Sequence, residues 1–204
     1  AEQVMAYILY FARRVDLQSA DMHDHCWNSR LMPGAKNHTI GLVGFGGIGT
    51  EVAKRAVPFG MKVIYFCRHP NPADDAAYGV QSVSMEELLK ESDYVVAAVP
   101  LTDQTFHLFN EERIAQMKAG SVLINIARGP VVDEEALAQA LASGHLGGCA
   151  VDVFPKEPCT NSVLTRYANA LLTPHSATST AENSKATNFA AANNLINYLK
   201  KDID

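Results

Sequence analysis

Apolar residues along this chain form two patterns that alternate between residues 39 and 173. Some segments are apolar at nearly every position, which is typical of strands buried on both faces; they span 39–45, 61–67, 94–99, 121–127, 148–153 and 170–173. Apolar residues at helical spacing fill the segments 85–91, 111–118 and 134–142 between them. This alternation predicts an α/β fold with a parallel sheet that helices cover on both faces.

The two ends of the chain carry helical patterns of their own. Val4 and Ile8 belong to an apolar stripe that predicts an opening helix ending near Arg14. Residues 16–37 are mostly polar and indicate a helix remnant and a connecting loop, whereas 181–200 place apolar residues on one helical stripe. The predicted organisation is a helix and connector over 1–27, a central domain over 28–178 and a closing helix over 179–204.

Composition and charge exclude several classes of protein. With 204 residues and 48% hydrophobic side chains, the chain can bury a substantial core. The net charge is -5 and Lys and Arg do not cluster, so we expect neither nucleic acid nor a membrane as a partner. Four cysteines without CxxC spacing are typical of reduced thiols in a cytoplasmic protein, and we expect no metal site.

A glycine-rich turn follows the first predicted strand and opens a helix. It reads Gly44, Phe45, Gly46, Gly47, Ile48, Gly49, the pattern GxGxxG. In this position the first glycine permits a tight turn, the second lets the backbone approach a pyrophosphate, and the third allows close packing of helix and strand. The pattern predicts a Rossmann-type, doubly wound sheet that binds a dinucleotide; the alternative is a glycine turn that only connects strand and helix.

The end of the second predicted strand bears on the choice of cofactor. A dinucleotide site for NAD usually has an acidic residue there, which binds the ribose hydroxyls. This chain has Cys67, Arg68 and His69 instead. A guanidinium suits a 2′-phosphate, so we expect NADP in preference to NAD. The alternative for Arg68 is a solvated surface arginine.

Three further strand ends carry charged or titratable side chains. Arg128 follows one predicted strand, Asp152 and Glu157 follow the next, and His175 follows the last. Reduction of a ketone by a nicotinamide needs a proton donor, a cation that polarises the carbonyl, and a group that keeps the donor protonated. A carboxylate hydrogen-bonded to His175 would stabilise the imidazolium. Singly, each residue could equally be a surface, loop or capping side chain.

The motifs, taken in order, resemble the NAD(P)-binding domain of the D-isomer-specific 2-hydroxyacid dehydrogenases. The matching stretches are AEQVMAYILYFAR, TIGLVGFGGIG, VPLTDQT, INIARGPVVDEEAL, AVDVFPKEP and LLTPH. The resemblance implies that Arg128, Glu157 and His175 are catalytic and that Asp152 faces the nicotinamide carboxamide. The cofactor-binding residues that we expect are Gly44, Gly46, Gly47, Ile48, Gly49, Cys67, Arg68, His69, Pro100, Thr105, Ile126, Ala127, Arg128, Asp152, His175 and Ala177.

The resemblance also carries expectations about the whole enzyme. The implied substrates are 2-oxo and D-2-hydroxy acids, and the opening helix belongs to the surface through which two cofactor domains pair in a homodimer. Members of the family carry a substrate domain before this helix, which the terminal helices would join. We therefore expect this chain to bind cofactor but to turn substrate over poorly alone. The alternative is a nucleotide-sensing interaction module similar to transcriptional corepressors of the same fold.

Overall fold

The computed structural model describes residues 1–201, and the chain divides into two units, Ala1–Pro174 and His175–Asp204. The described part of the first unit contains one parallel sheet of seven strands. The strands are β1 (Thr39–Val43), β2 (Lys62–Phe66), β3 (Gln81–Ser82), β4 (Tyr94–Ala97), β5 (Val122–Asn125), β6 (Gly148–Val151) and β7 (Ala170–Leu172). Their order is β3-β2-β1-β4-β5-β6-β7, so the predicted doubly wound parallel sheet is confirmed.

Helices cover both faces of the sheet, as the apolar runs predict. In the first unit they are α1 (Glu2–Arg13), α2 (Val15–His23), α3 (Gly47–Ala56), α4 (Pro72–Tyr78), α5 (Met85–Glu91), α6 (Glu111–Gln116) and α7 (Glu134–Ala142). Short 3-10 turns lie at Val57–Phe59, Gly129–Val131 and Val163–Arg166. Successive strand residues point to opposite faces: Ile124 packs in the cluster with α1 and α3, and Leu123 packs with α5, α6 and α7.

The opening helix is part of the core of its own unit. Val4, Tyr7 and Ile8 are almost completely buried and pack with strand residues of the sheet. The helix ends at Arg14, whose φ of 41° is left-handed. Because the apolar stripe is already buried within one chain, it supplies no argument for pairing of two copies. Helix α2, by contrast, buries none of its residues.

The sequence pattern does not predict two of the observed elements. Helix α4 and strand β3 carry no apolar periodicity, because α4 has no buried residue and β3 has only two residues. The start of α4 is nevertheless marked locally. Asn71 caps the helix by accepting a hydrogen bond from the Ala73 N–H, and Pro72 occupies the first helical position.

The predicted strands also run past the observed ones at their carboxyl ends. The segment 121–127 pairs only over Val122–Asn125, and 94–99 pairs only over Tyr94–Ala97. The extra apolar residues leave the sheet as loops at one edge. An apolar run does not reveal where ladder pairing stops, and these loop residues form the cleft described below.

The second unit contains one long helix, α8 (Ala181–Lys201). Its apolar residues Phe189, Ile196 and Leu199 are exposed. The helix that the sequence predicts over 181–200 is therefore confirmed. Among residues 1–201 there is no helix with the length and apolar character needed to cross a membrane.

Candidate functional site

A cleft lies at the carboxyl edge of the sheet, where the winding direction reverses. Strand β1 pairs with β2 on one side and with β4 on the other, which makes the β1–β4 pair the topological switch point. Doubly wound sheets bind ligands in this crevice. The cleft here has a volume of about 470 Å³ and is lined by Ile48, Ala98, Val99, Pro100, Leu101, Ile126, Ala127 and Arg128.

The glycine-rich turn forms one wall of this edge, and two of its glycines are sterically required. Gly44 has a φ of +101°, and a β-carbon there would lie 2.5 Å from the carbonyl oxygen of Ala98. A β-carbon on Gly49 would lie 2.7 Å from the carbonyl oxygen of Gly44. Side chains at these positions would push the turn away from β4 or separate α3 from the strand.

The two middle glycines have the opposite surroundings. Gly46 and Gly47 are exposed, and a β-carbon on either would meet no atom within 4 Å. Gly46 is the N-cap of α3 and provides no side-chain cap, and the first turn contains no acidic residue. Thr50 donates the first intrahelical bond, to the carbonyl of Gly46, at 2.9 Å. Gly47 and Ile48, which are exposed, therefore leave their N–H groups at an open surface, which fits a pyrophosphate.

The end of the second strand carries the residues that bear on cofactor choice. Cys67 is half-buried, while Arg68 and His69 are exposed. Within the described residues neither Arg68 nor His69 takes part in an ion pair. The guanidinium is thus available to an anion at this edge of the sheet.

The loop after β4 is held by one hydroxyl group. Thr105 Oγ1 donates to the carbonyl of Pro100 at 2.6 Å and accepts from the N–H of Thr102 at 2.8 Å. Pro100 lines the cleft, whereas Thr105 does not. The structure therefore shows Thr105 shaping the loop that carries Pro100.

Arg128 extends from a turn that a buried amide organises. Asn125, at the end of β5, is 1% exposed. Its Nδ2 donates to the carbonyl of Arg128 at 3.1 Å, and its Oδ1 accepts from the N–H of Ala127 at 3.1 Å. The Arg128 side chain is exposed at the cleft and donates from Nη1 to the Ala127 carbonyl at 2.6 Å.

Glu157 lies in a loop that packs beside this turn. Glu157 Oε1 accepts a hydrogen bond from the N–H of Phe154 at 2.8 Å, which closes the loop after β6. Gly129, directly after Arg128, lies against the backbone of Phe154. The structure thus brings the turn of Arg128 and the loop of Glu157 into contact, although the two residues are far apart in sequence.

Asp152 is a buried carboxylate at the end of β6. It is 1% exposed, and its N–H donates to the carbonyl of Asn125 at 3.1 Å. Its Oδ1 accepts a hydrogen bond from Thr173 Oγ1 at 2.5 Å. Asp152 and Arg128 follow neighbouring strands, so both lie at the same edge of the sheet.

His175 and Ala177 belong to the second unit. His175 is exposed and has a left-handed φ of 51°. Ala177 is half-buried. The catalytic role expected for His175 and the cofactor contact expected for Ala177 stay predictions from the sequence.

We looked for side chains that could bind a metal ion in the part of the chain that the structure describes. Within residues 1–201, no group of three or more His, Cys, Asp or Glu side chains is arranged so that it could hold a metal ion. The polar segment 21–26 contains several such residues, but Asp21 there pairs with Arg30.

Comparison with known proteins identifies the family. Residues 5–177 match the family described as D-isomer specific 2-hydroxyacid dehydrogenase, NAD binding domain. The chain belongs to this family. The glyoxylate reductase of Thermococcus litoralis is 39% identical over 212 residues, an alignment that covers 100% of this chain and 64% of that protein. The D-3-phosphoglycerate dehydrogenase of Mycobacterium bovis is 37% identical, covering 89% of this chain and 35% of that protein.

Solved structures agree with this placement in the 2-hydroxyacid dehydrogenase family. D-lactate dehydrogenase from Aquifex aeolicus, complexed with NAD and lactic acid, superposes with a TM-score of 0.90 at 31% identity. The match covers 99% of this chain and 66% of that one. The chain spans between about a third and two thirds of the length of these relatives.

Several residues of the cleft and its surroundings were not predicted from the sequence. Ala98, Val99 and Leu101 line the cleft because they follow β4 at the carboxyl edge. The rule that ligands bind beyond strand ends could have found them, since the strand itself was predicted. No local signal could have found Tyr7 and Thr173. Tyr7 contacts Thr173, and Thr173 contacts the Asp152 carboxylate, only because the tertiary structure brings these residues together.

Proposed function

We propose that this domain binds a nicotinamide dinucleotide across the β1–β4 switch point and serves an oxidoreductase that interconverts 2-oxo acids and D-2-hydroxy acids. The observation that carries the proposal is the open glycine surface at the N-terminus of α3, next to the cleft. Family membership and the names of the relatives, a glyoxylate reductase and a D-3-phosphoglycerate dehydrogenase, support the chemistry.

In this proposal, residues that follow five strands hold the cofactor. Gly46, Gly47 and Ile48 present N–H groups to the pyrophosphate, and Pro100 lies toward the adenosine. The segment 126–128 would hold the nicotinamide ribose, and Asp152 would accept a hydrogen bond from the carboxamide. The exposed Arg68, which forms no ion pair within the described residues, binds the 2′-phosphate of NADP.

The proposed chemistry divides among three side chains. When bound, the nicotinamide supplies the hydride to the carbonyl carbon of the 2-oxo acid. Arg128 holds the substrate carboxylate and polarises the carbonyl, because its guanidinium can donate two parallel hydrogen bonds. His175 donates the proton that converts the carbonyl oxygen to a hydroxyl, and Glu157 stabilises the imidazolium. Hydride and proton together complete a two-electron reduction, and the reverse steps oxidise the hydroxy acid.

The remaining expectations about the whole enzyme are part of the same proposal. Pairing into a homodimer follows from the family resemblance. A cytoplasmic location is consistent with the four free cysteines, of which Cys26 is exposed. The corepressor-like alternative is disfavoured because the chain has an arginine, a glutamate and a histidine at the positions that match the catalytic motifs.

Calorimetric titration with NADPH and NADH tests cofactor binding and preference. We expect NADPH to bind more tightly to the wild type, and Arg68→Ala to abolish most of the difference, about tenfold, because an exposed charged hydrogen bond is lost. Arg166→Ala, which removes an exposed arginine elsewhere, is the matched control and should change neither affinity. Equal affinities in the wild type would overturn the NADP assignment, and absence of binding to both would overturn the dinucleotide site.

Turnover is tested separately by following NADPH oxidation with glyoxylate or hydroxypyruvate. We expect binding of cofactor with weak or no turnover from this chain alone. Robust turnover would contradict the expectation that substrate-holding groups besides Arg128 are needed. Arg128→Gln should lower any measured kcat/KM more than it lowers NADPH affinity, because Arg128 meets the substrate as well as the cofactor in this proposal.

A further inference from the structure

A chain of hydroxyl groups connects the opening helix to the buried carboxylate of Asp152. Tyr7 Oη lies 2.5 Å from Thr173 Oγ1, and Thr173 Oγ1 lies 2.5 Å from Asp152 Oδ1. Tyr7 belongs to α1, Thr173 follows β7, and Asp152 follows β6. All three residues belong to the first unit, and Tyr7 is 166 residues away from Thr173 in sequence.

The direction of these hydrogen bonds follows from the proton count. An ionised carboxylate only accepts, so Thr173 donates its single hydroxyl proton to Asp152. The Thr173 oxygen must then accept, and the Tyr7 O–H donates to it. Tyr7 therefore fixes the rotamer in which the Thr173 proton points at Asp152.

Burial makes this arrangement important for the carboxylate. Tyr7 and Asp152 are each 1% exposed, and Thr173 is half-buried. A buried carboxylate is costly unless donors compensate for the lost water. Burial, together with the charge of Asp152, raises the pKa of Tyr7, so the phenol keeps its proton and stays a donor at neutral pH.

We propose that Tyr7 is a positioning residue that sets the orientation of Asp152 through Thr173, and thereby the strength with which this domain holds the nicotinamide end of its cofactor. The inference rests on the proposed function, in which Asp152 accepts from the carboxamide. It also assigns α1, which is remote from the glycine turn in sequence, a role in the cofactor site. Tyr7 acts only through its hydroxyl, since its ring packs in the core.

The test compares cofactors with probes that lack the nicotinamide. Tyr7→Phe removes the hydroxyl and keeps the ring, and Tyr10→Phe makes the same change on the same helix as a matched control. Affinities for NADPH and for 2′-phospho-ADP-ribose are measured by calorimetry on the folded chain. We expect Tyr7→Phe to weaken NADPH about fivefold to tenfold, the usual effect of a lost hydrogen bond, and to leave the probe unchanged. Tyr10→Phe should change neither.

Variants of Thr173 distinguish a loss of Asp152 positioning from a general loss of structure. Thr173→Ser keeps the donor and should retain NADPH affinity, whereas Thr173→Val should match Tyr7→Phe. The double variant should be no weaker than Thr173→Val alone, because both substitutions act through one carboxylate.

The possible failures are distinguishable. If Tyr7→Phe weakens NADPH and 2′-phospho-ADP-ribose equally, or weakens neither, the positioning role is wrong while the proposed function stands. If the wild type binds neither ligand, the proposed function fails and this inference fails with it. Additive losses in the double variant would also overturn the inference.

Discussion

Gly129 and Phe154 are in contact through their backbones, and this contact sets the distance between the Arg128 turn and the Glu157 loop. A β-carbon at Gly129 would lie 2.0 Å from the carbonyl carbon of Phe154 and 2.3 Å from its oxygen. Phe154 in turn donates its N–H to Glu157 at 2.8 Å. The lack of a side chain at one position therefore permits the close approach of two loops that carry proposed catalytic residues.

Gly129→Ala should separate these loops. The backbone at both sides must shift to admit one methyl group, and overpacking of this kind costs about 1–3 kcal/mol. We expect the melting temperature to fall by several degrees, roughly 2–4 °C for each kcal/mol in a chain of this size. Gly47→Ala is the control for thermal unfolding, since its β-carbon meets no atom within 4 Å. An unchanged melting temperature for Gly129→Ala would show that the contact can relax freely.

Substitutions at two glycines of the turn should affect cofactor binding and thermal stability differently. Gly46→Ala fits the folded chain, because the β-carbon enters open space, but the methyl group would occupy the surface proposed for the pyrophosphate. We expect unchanged thermal stability and a loss of NADPH affinity of at least about tenfold. Gly44→Ala should instead destabilise the fold, because of its φ of +101° and the nearby Ala98 carbonyl. Normal NADPH affinity in Gly46→Ala would contradict the pyrophosphate site.

Asn125 should support both the fold and the cleft. Asn125→Ala leaves the N–H of Ala127 without its partner in a buried turn. It also removes one of the two hydrogen bonds that the carbonyl of Arg128 accepts, the other coming from the N–H of Val131. The expected cost is about 1–3 kcal/mol in the free energy of unfolding, measured by urea titration, with weaker NADPH binding. Asn169→Ala, which removes a longer 3.3 Å hydrogen bond to Gly147, should cost less than about 0.5 kcal/mol. Equal losses in the free energy of unfolding of the two variants would contradict the role assigned to Asn125.

Cys67→Asp should change the cofactor preference. A carboxylate at the end of β2 accepts from ribose hydroxyls and repels a 2′-phosphate. We expect NADH affinity to rise and NADPH affinity to fall in calorimetric titrations, each by about tenfold. Cys67→Asn, which is similar in size but uncharged, is the matched control. A variant that still prefers NADPH to the same extent would place the adenosine ribose elsewhere.

Stability should decrease in alkaline solution. Burial raises the pKa of Cys149 to about 12 from its ordinary 9.0, and burial also raises the pKa of Tyr94 to about 12 from 10.0. Above about pH 9 the unfolded chain therefore binds fewer protons than the folded one, and stability falls as pH rises toward 12. The stability that the protonated Cys149 and Tyr94 contribute is fully present at pH 7. Urea midpoints at pH 7 and pH 10 measure the fall, and Cys149→Ala should reduce it; a flat profile would contradict the assignment.

Local signals explain why much of the fold could be predicted. Helices α5 and α7 span the residues that the sequence predicts, and their starts are marked by Ser84 and Asp133, whose side-chain oxygens cap them. The carboxyl ends of the strands were predicted too long, since the apolar residues Ile126 and Ala127 line the cleft and do not extend the ladder. Burial in a core and exposure to a cleft select the same apolar residue types.

The sequence by itself determined the alternation of strands and helices, the glycine turn and the positions of charged residues after strands, because each depends on neighbours within a few residues. Only the tertiary structure decided which distant groups meet. Tyr7, Thr173 and Asp152 form one hydrogen-bonded chain, and Gly129 admits the backbone of Phe154. Such contacts depend on how strands are ordered across the sheet and how closely backbones approach, and neither quantity is encoded in the periodicity of a single segment.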